Sequence, residues 1–156
     1  MLAFYDVDKD YVKYLKTIDP KVPNVTYDSN NKFVCGVVFE LNGICYYAPV
    51  SHMTNKQRTN LLIYDGEAAI ASIRFAFMFP AYESVLYQKD FSVIAKTDPK
   101  YANLLAKEYG FCVAHSNDIY SKASSVYRIG CNKNHILNVN CCDFRKLEEH
   151  YKKFIK

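Results

Sequence analysis

The fold is decided by residues 32–51, whose sequence is KFVCGVVFELNGICYYAPVS. Two runs rich in Val, Phe, Ile and Tyr flank Asn42-Gly43, and such runs favour β-strands. An Asn-Gly pair between them predicts a type I′ turn, because both central residues of that turn need positive φ. The stretch therefore predicts an antiparallel hairpin, and the chain leaves its second strand at Pro49 or soon after.

A second hairpin is predicted for residues 59–80. The run TNLLIY ends before Asp65-Gly66, and the run EAAIASIRFAFMFP follows this turn signal. Apolar residues recur at alternate positions of the second run, at Ala71, Ile73, Phe75, Phe77 and Phe79. This period of two favours a strand, because a helix would scatter those side chains around its axis. We expect one long strand that closes at Pro80.

Helices are predicted before and after the hairpins. Helical spacing predicts a helix over residues 6–18, which the prolines of DPKVPN end, and a polar loop over residues 25–31 follows. Further along the chain, Asp98 is typical of an N-cap, and Gly110 predicts the end of that helix. Residues 116–128 predict another helix. Residues 143–155 predict a C-terminal amphipathic helix, capped by Asp143, with one apolar stripe: Phe144, Leu147, Tyr151 and Phe154.

The remaining segments and the composition bound the fold class. Residues 84–91 predict a short strand and residues 133–141 a last strand. With 156 residues, half of them hydrophobic, we expect a single α+β domain over residues 1–156: a curved antiparallel sheet with helices at its edges. Acidic residues interrupt the N-terminal segment, which argues against a signal peptide, and no apolar run is long enough to span a bilayer. We expect a cytoplasmic protein.

The six cysteines and the net charge give weaker indications. The sequence contains no C-x-x-C pair, and no histidine lies near a cysteine at the spacing of a zinc site. We therefore expect no metal site and no cofactor. We interpret the cysteines as small buried thiols. A catalytic thiol remains an alternative without local support. The net charge of +4 permits an anionic partner, and 14 tyrosines can stack on unpaired bases.

Polar side chains cluster directly after the second hairpin strand. Ser51, His52, Thr54, Lys56 and Arg58 lie at a strand end or in the following loop, where functional sites concentrate. Metal-free RNA cleavage needs a base for the ribose 2′-OH, an acid for the leaving 5′ oxygen, and a donor or cation for the phosphorane. A histidine can transfer the proton, and lysines or hydroxyls can hold the phosphate. The alternative is a loop of solvated polar residues.

The chain resembles the ToxN/AbiQ family of toxins from type III toxin–antitoxin systems along essentially its full length. The matching segments occur in the family's order: YVKYLKTIDPKVPN, the hairpin of residues 32–51, SIRFAFMFPA, KYANLLAKEYGFCVAHSNDIYSKASSVY and DFRKLEEHYKKF. The resemblance implies a core sheet similar to the SH3-like barrel of the Kid/MazF toxins. It also implies a bacterial, metal-independent endoribonuclease that leaves 2′,3′-cyclic phosphate ends.

The resemblance implies RNA partners as well. A pseudoknot RNA made from tandem repeats inhibits such toxins, which trim it from its precursor and assemble with it into closed protein–RNA complexes. Cellular or phage RNA is the substrate, and the biological setting is abortive infection and phage resistance. The alternatives are a non-catalytic RNA-binding module on the same fold and a toxin neutralised by a protein antitoxin.

The family's site residues are matched unevenly. Its pair of hydroxyls after the Tyr-x-x-Pro strand falls on Ser51 and on His52, where a histidine replaces the usual serine. The family's following lysine aligns with Thr54, so that Lys56 is a displaced match. Tyr27 and Lys32 match by residue type a tyrosine and a lysine before the first hairpin strand.

We therefore predict two sets of site residues. The predicted catalytic residues are Ser51, His52, Lys56, Tyr27 and Lys32, with His52 in proton transfer. The predicted RNA-binding residues are Thr54, Arg58, Lys89, Lys96, Lys100, Tyr120, Lys122 and Arg128. For each single lysine the alternative is a solvated surface position.

Overall fold

The computed structural model describes residues 2–24 and 32–155. Its strands are β1 (Ala3–Val7), β2 (Phe33–Leu41), β3 (Ile44–Ser51), β4 (Asn60–Asp65), β5 (Ala68–Arg74), β6 (Phe79–Pro80) and β7 (Leu86–Gln88). Its α-helices are α1 (Lys9–Ile18), α2 (Phe91–Thr97), α3 (Pro99–Ala114), α4 (Ser116–Cys131) and α5 (Phe144–His150).

The strands form one antiparallel sheet in the order β4-β5-β3-β2-β1-β7. β3 pairs with β5 through Val50 and Ser51, and with β6 through Tyr46 and Tyr47. The chain after β5 thus folds back along the same edge of β3, which curls the sheet. The predicted α+β class with a curved antiparallel sheet and peripheral helices is confirmed.

The hairpin that decides the fold forms as predicted. β2 and β3 pair along their length around Asn42 and Gly43, whose φ angles are 51° and 81°. Both values lie in the left-handed region that a type I′ turn requires. The pairing is irregular between Gly36 and Phe39. A Cβ atom at Gly36 would collide with the ring of Tyr47, so this position requires glycine.

The second hairpin forms, but its predicted long strand is wrong. β5 ends at Arg74, a 3-10 turn covers Phe75–Phe77, and the short β6 follows. The backbone groups of the turn bond outside the sheet: the Phe75 N–H donates to the Thr59 carbonyl, and the Ala76 carbonyl accepts from the Cys142 N–H. Neighbouring residues such as Met78 and Phe79 are both buried, so the apolar alternation of this segment does not indicate a half-buried strand.

Three other predictions are corrected by the structure. β1 precedes α1, which begins after its cap Asp8 rather than at residue 6. The predicted last strand is wrong, because a 3-10 helix covers Ile136–Asn140. α3 continues past Gly110 to Ala114, because buried Cys112 keeps its last turn packed against the core.

α3 is held firmly against the sheet. Its buried face comprises Ala102, Leu105, Glu108 and Cys112, at helical spacing. The Tyr109 hydroxyl, on the same helix, donates a hydrogen bond of 2.7 Å to the Leu2 carbonyl. The exposed side of α3 reaches β4 through an ion pair of 3.1 Å between Lys107 and Asp65. In the described ranges, no helix combines the length and the apolar composition needed to cross a membrane.

Candidate active site

The candidate site is built on the end of β3. Ser51, its last residue, lies opposite Ser72 of β5. On the other side, Phe33 of β2 lies opposite Val50, so the antiparallel register brings the backbone of Lys32 beside that of Ser51. Ser72 Oγ is buried and has no hydrogen-bond partner among the described residues. The backbones of two serines and one lysine therefore lie side by side where β3 ends.

The loop after β3 is fixed at both ends by side chains. Ser51 Oγ accepts the Met53 N–H at 3.2 Å. Asn60, at the start of β4, is buried; its Oδ1 accepts the Gln57 N–H at 2.9 Å, and its Nδ2 donates to the Asn55 carbonyl at 3.0 Å. The loop that carries Thr54, Lys56 and Arg58 as exposed side chains is thus internally bonded.

His52 leaves the strand end toward α3. Its Nε2 atom lies 3.9 Å from Oε2 of Glu108, and 61% of its side chain is exposed, whereas none of the Glu108 side chain is. Neither carboxylate oxygen of Glu108 has a hydrogen-bond partner in the part of the chain that the structure describes. Burial therefore raises the pKa of Glu108 to about 7.

A largely buried lysine lies further along the inner side of α3. The Lys89 ammonium pairs with Asp6 at 3.0 Å, and only 7% of its side chain is exposed. It also lies over the rings of Phe33 and Tyr101, at 5.3 and 5.5 Å from their centroids. Burial, and then the charges of Asp6, Glu108 and Asp98, raise the pKa of Tyr101 to about 12.

An open cleft of about 530 Å³ lies beside β5. Its lining residues are Lys21, Gln57, Arg58, Thr59, Arg74, Ala76, Phe77, Leu137, Val139 and Asn140. This cationic cleft has three basic side chains and no acidic one, and the Arg74 guanidinium lies 4.4 Å from the centre of the Phe77 ring. Arg74 is two residues from Ser72, about 7 Å along the strand, so the cleft begins near the end of β3.

The predicted catalytic residues are placed as follows. Ser51, His52 and Lys32 meet at the end of β3, and Lys56 is exposed on the loop that follows. The fifth, Tyr27, lies outside the described residues. In the described ranges, no group of three or more His, Cys, Asp or Glu side chains is arranged to hold a metal ion.

The predicted RNA-binding residues fall on several surfaces. Arg58 lines the cationic cleft, whereas Lys89 is buried in its ion pair. Lys96 and Lys100 are exposed around the α2–α3 junction. The α4 residues Tyr120, Lys122 and Arg128 form a separate set; Tyr120 lines a shallow pocket with residues 37–40 of β2, toward the hairpin turn and away from Lys32. Their part in RNA binding stays a prediction.

Sequence reasoning missed Glu108, Arg74 and Lys21. Glu108 left a usable signal, because it occupies the apolar stripe of α3 between Leu105 and Cys112, where a solvated charge is not expected. Arg74 lies inside the predicted long strand of residues 67–80 and gives no comparable signal. Lys21 is distant in sequence from the other cleft residues, and only the tertiary structure brings it beside them.

Comparisons with known proteins bear on this geometry. The family model for toxin ToxN of type III toxin–antitoxin systems matches residues 3–152. Endoribonuclease ToxN of Pectobacterium atrosepticum is 29% identical over 99% of this chain and 95% of its own. Endoribonuclease ToxN of Bacillus thuringiensis subsp. kurstaki is 28% identical over 94% of this chain and 80% of its own.

A solved structure has the same fold as this chain. It belongs to work on type III systems that describes selective toxin inhibition by a non-coding RNA pseudoknot. It superposes with a TM-score of 0.90 at 26% identity and covers 97% of this chain and 96% of its own.

Fold, site and relatives together define an endoribonuclease toxin. The chain belongs to the ToxN family of toxins from type III toxin–antitoxin systems. These comparisons confirm three predictions made from the sequence: the family, the fold and the endoribonuclease activity. The cleavage chemistry and the roles of single residues stay predictions.

Proposed function

We propose that this chain is a metal-independent endoribonuclease toxin that cleaves RNA by attack of a ribose 2′-OH on the adjacent phosphodiester. One observation carries the proposal: an exposed imidazole, His52, directly follows a strand-end hydroxyl, Ser51, in a chain of the ToxN family. We further propose that the protein acts in the cytoplasm, where its RNA substrates are.

The proposed reaction uses side chains of the strand end. His52 accepts the proton of the 2′-OH, whose oxygen bonds to phosphorus, and the bond from phosphorus to the 5′ oxygen breaks. The leaving 5′ oxygen takes up a proton, and the products are a 2′,3′-cyclic phosphate and a 5′-OH. In this mechanism Lys32 and Lys56 hold the phosphate charge, Ser51 orients a non-bridging oxygen, and Tyr27 is assigned a similar orienting role.

RNA binding is proposed to extend from the strand end into the cationic cleft. Arg58, Arg74 and Lys21 supply positive charge there, and Phe77 and Val139 supply apolar surface. A phosphodiester chain with exposed bases has both of these features. We propose that the inhibitor is an RNA pseudoknot cut from a repeat-containing precursor and bound in a closed protein–RNA assembly. The solved relative, described with selective inhibition by such an RNA, supports this.

The test is cleavage of the precursor RNA by purified protein in excess EDTA, with analysis of the new termini. The proposal expects cut RNA with cyclic phosphate ends. Intact but bound RNA would favour the non-catalytic RNA-binding module. If a small protein encoded beside the toxin relieves toxicity and the repeat RNA does not, the toxin is neutralised by a protein antitoxin instead.

A further inference from the structure

Glu108 carries a buried carboxylate that the proposed mechanism does not use. Its side chain has no exposed surface, and neither oxygen has a hydrogen-bond partner among the described residues. An ionised carboxylate in such surroundings costs free energy unless a positive group compensates it. A buried polar group without partners therefore needs an explanation, and function is a common one.

The imidazole of His52 is the group placed to compensate this charge. Nε2 of His52 lies 3.9 Å from Oε2 of Glu108, which is within ion-pair range and longer than a hydrogen bond. The edge of the ring that carries Nε2 faces the carboxylate. The His52 side chain is 61% exposed, so a substrate can reach the ring from solvent.

The structure holds the carboxylate in place. Leu105 and Cys112, which flank Glu108 on the inner face of α3, are completely buried. Tyr109 ties the same turn of the helix to the Leu2 carbonyl. Glu108 is therefore carried by a part of the helix that packs against the core.

The other ionisable groups near Glu108 have partners of their own. Lys89, from the end of β7, pairs with Asp6 of β1, and Lys107 of α3 pairs with Asp65 of β4. Tyr101 of α3 stays neutral, because burial and nearby acidic groups, Glu108 among them, raise its pKa to about 12, so it supplies no positive charge. Among the described residues, His52 is thus the basic group within ion-pair range of the carboxylate.

We propose that Glu108 is a positioning residue that orients the His52 ring and balances the imidazolium formed during RNA cleavage. This inference rests on the proposed function. With Nε2–H directed at Glu108, the neutral ring presents the Nδ1 lone pair to the 2′-OH. When Nδ1 takes that proton, the carboxylate stabilises the resulting positive charge until the proton is passed on.

The electrostatics of the pair agree with this role. Burial raises the pKa of Glu108 to about 7, so a positive charge beside the carboxylate would favour its ionised form.

The experiment follows the histidine rings of the full-length protein by NMR from pH 5 to 9 in the wild type and in Glu108→Gln. The His52 signal is assigned by its loss in His52→Ala. Removal of the carboxylate is expected to lower the midpoint of the His52 titration by about one pH unit, the scale of a nearby opposite charge. An unchanged midpoint overturns the proposal.

Single-turnover cleavage supplies the functional readout. The limb of the pH–rate profile that His52→Ala removes is expected to move to lower pH in Glu108→Gln. Glu149→Gln, which removes an exposed carboxylate from α5, is the matched control and is expected to leave the limb in place. Glu108→Leu repeats both measurements if the glutamine variant does not fold.

The two proposals fail in different ways. Cleavage at the wild-type rate by His52→Ala removes His52 from the mechanism and with it the proposed chemistry. Slow cleavage by His52→Ala, together with an unmoved limb in Glu108→Gln, leaves the proposed function standing and overturns the role of Glu108.

Discussion

The imidazole of His52 and the carboxylate of Glu108 meet at the end of β3, with Nε2 3.9 Å from Oε2. One partner is mostly exposed on a loop, and the other is completely buried on a helix. The buried partner has no hydrogen bond to any described residue, so the fold gains little from it. Buried carboxyl groups with a raised pKa are frequent at functional sites, which agrees with the role proposed for this pair.

The free-energy cost of burying ionised Glu108 predicts that the stability of the wild type, relative to a variant without this carboxyl group, depends on pH. Its pKa in the folded protein, about 7, lies above the usual 4.5, so the folded state binds this proton more tightly than the unfolded state. The favourable contribution of the protonated group is complete below pH 4.5 and is lost as the pH rises through 7. The increase in the Glu108 pKa from 4.5 to about 7 corresponds to roughly 3 kcal/mol of unfolding free energy.

Glu108→Gln should therefore match the wild-type free energy of unfolding near pH 5 and exceed it at pH 8. Urea denaturation of both proteins at the two pH values measures this. A difference in stability that does not change with pH would show that Glu108 is not held protonated by burial.

Asn60 is expected to hold the loop that carries Lys56 and Arg58. Asn60→Ala removes two partly buried hydrogen bonds to the loop backbone, which should cost about 1–2 kcal/mol in unfolding free energy. It should also slow RNA cleavage and speed proteolysis within residues 52–59. Asn55→Ala is the matched control, because Asn55 contributes its backbone carbonyl to these contacts. Equal effects of the two substitutions would contradict this role.

The cationic cleft is expected to bind phosphates. Arg58→Ala should weaken binding of the inhibitory RNA and reduce the slope of log affinity against log salt concentration by about 1 for one lost phosphate contact. Lys13→Ala, on the exposed side of α1, is the control and should change neither quantity. An unaltered slope in Arg58→Ala, measured by filter binding across salt concentrations, would place the RNA elsewhere.

Gly110 offers a stabilising substitution away from the site. It lies inside α3, and a Cβ atom there would meet no atom within 4 Å. Gly110→Ala should raise the free energy of unfolding by about 0.5–1 kcal/mol, because alanine loses less backbone entropy in a helix. Cleavage should be unchanged. Destabilisation in thermal unfolding would mean that the exposed side of α3 is packed more closely than the structure indicates.

The sequence predicts those parts of the fold that depend on neighbouring residues. The hairpin around Asn42 and Gly43, the cap at Asp98 and the C-terminal apolar stripe are local signals, and the structure confirms them. β1 was missed because five residues carry too little periodicity to indicate a strand. The 3-10 turn at Phe75–Phe77 was missed because the apolar alternation continues through it and no Gly or Pro marks the break.

The site could be predicted only in part, because only some of its residues are neighbours in the sequence. Ser51, His52 and Lys56 are adjacent in sequence and follow one strand, so a local pattern finds them. Glu108 approaches His52 only because α3 packs beside β4, which is a consequence of tertiary structure. Pairings between distant segments leave no trace in a single local pattern.

The most direct test of the account is the single-turnover rate of RNA cleavage by His52→Ala in excess EDTA, compared with the wild type at saturating RNA. The account predicts that the variant folds, binds the inhibitory RNA normally and cleaves about a hundredfold more slowly, the scale of a lost general acid–base group. Cleavage at the wild-type rate would contradict it, because the proton would then be transferred by another group.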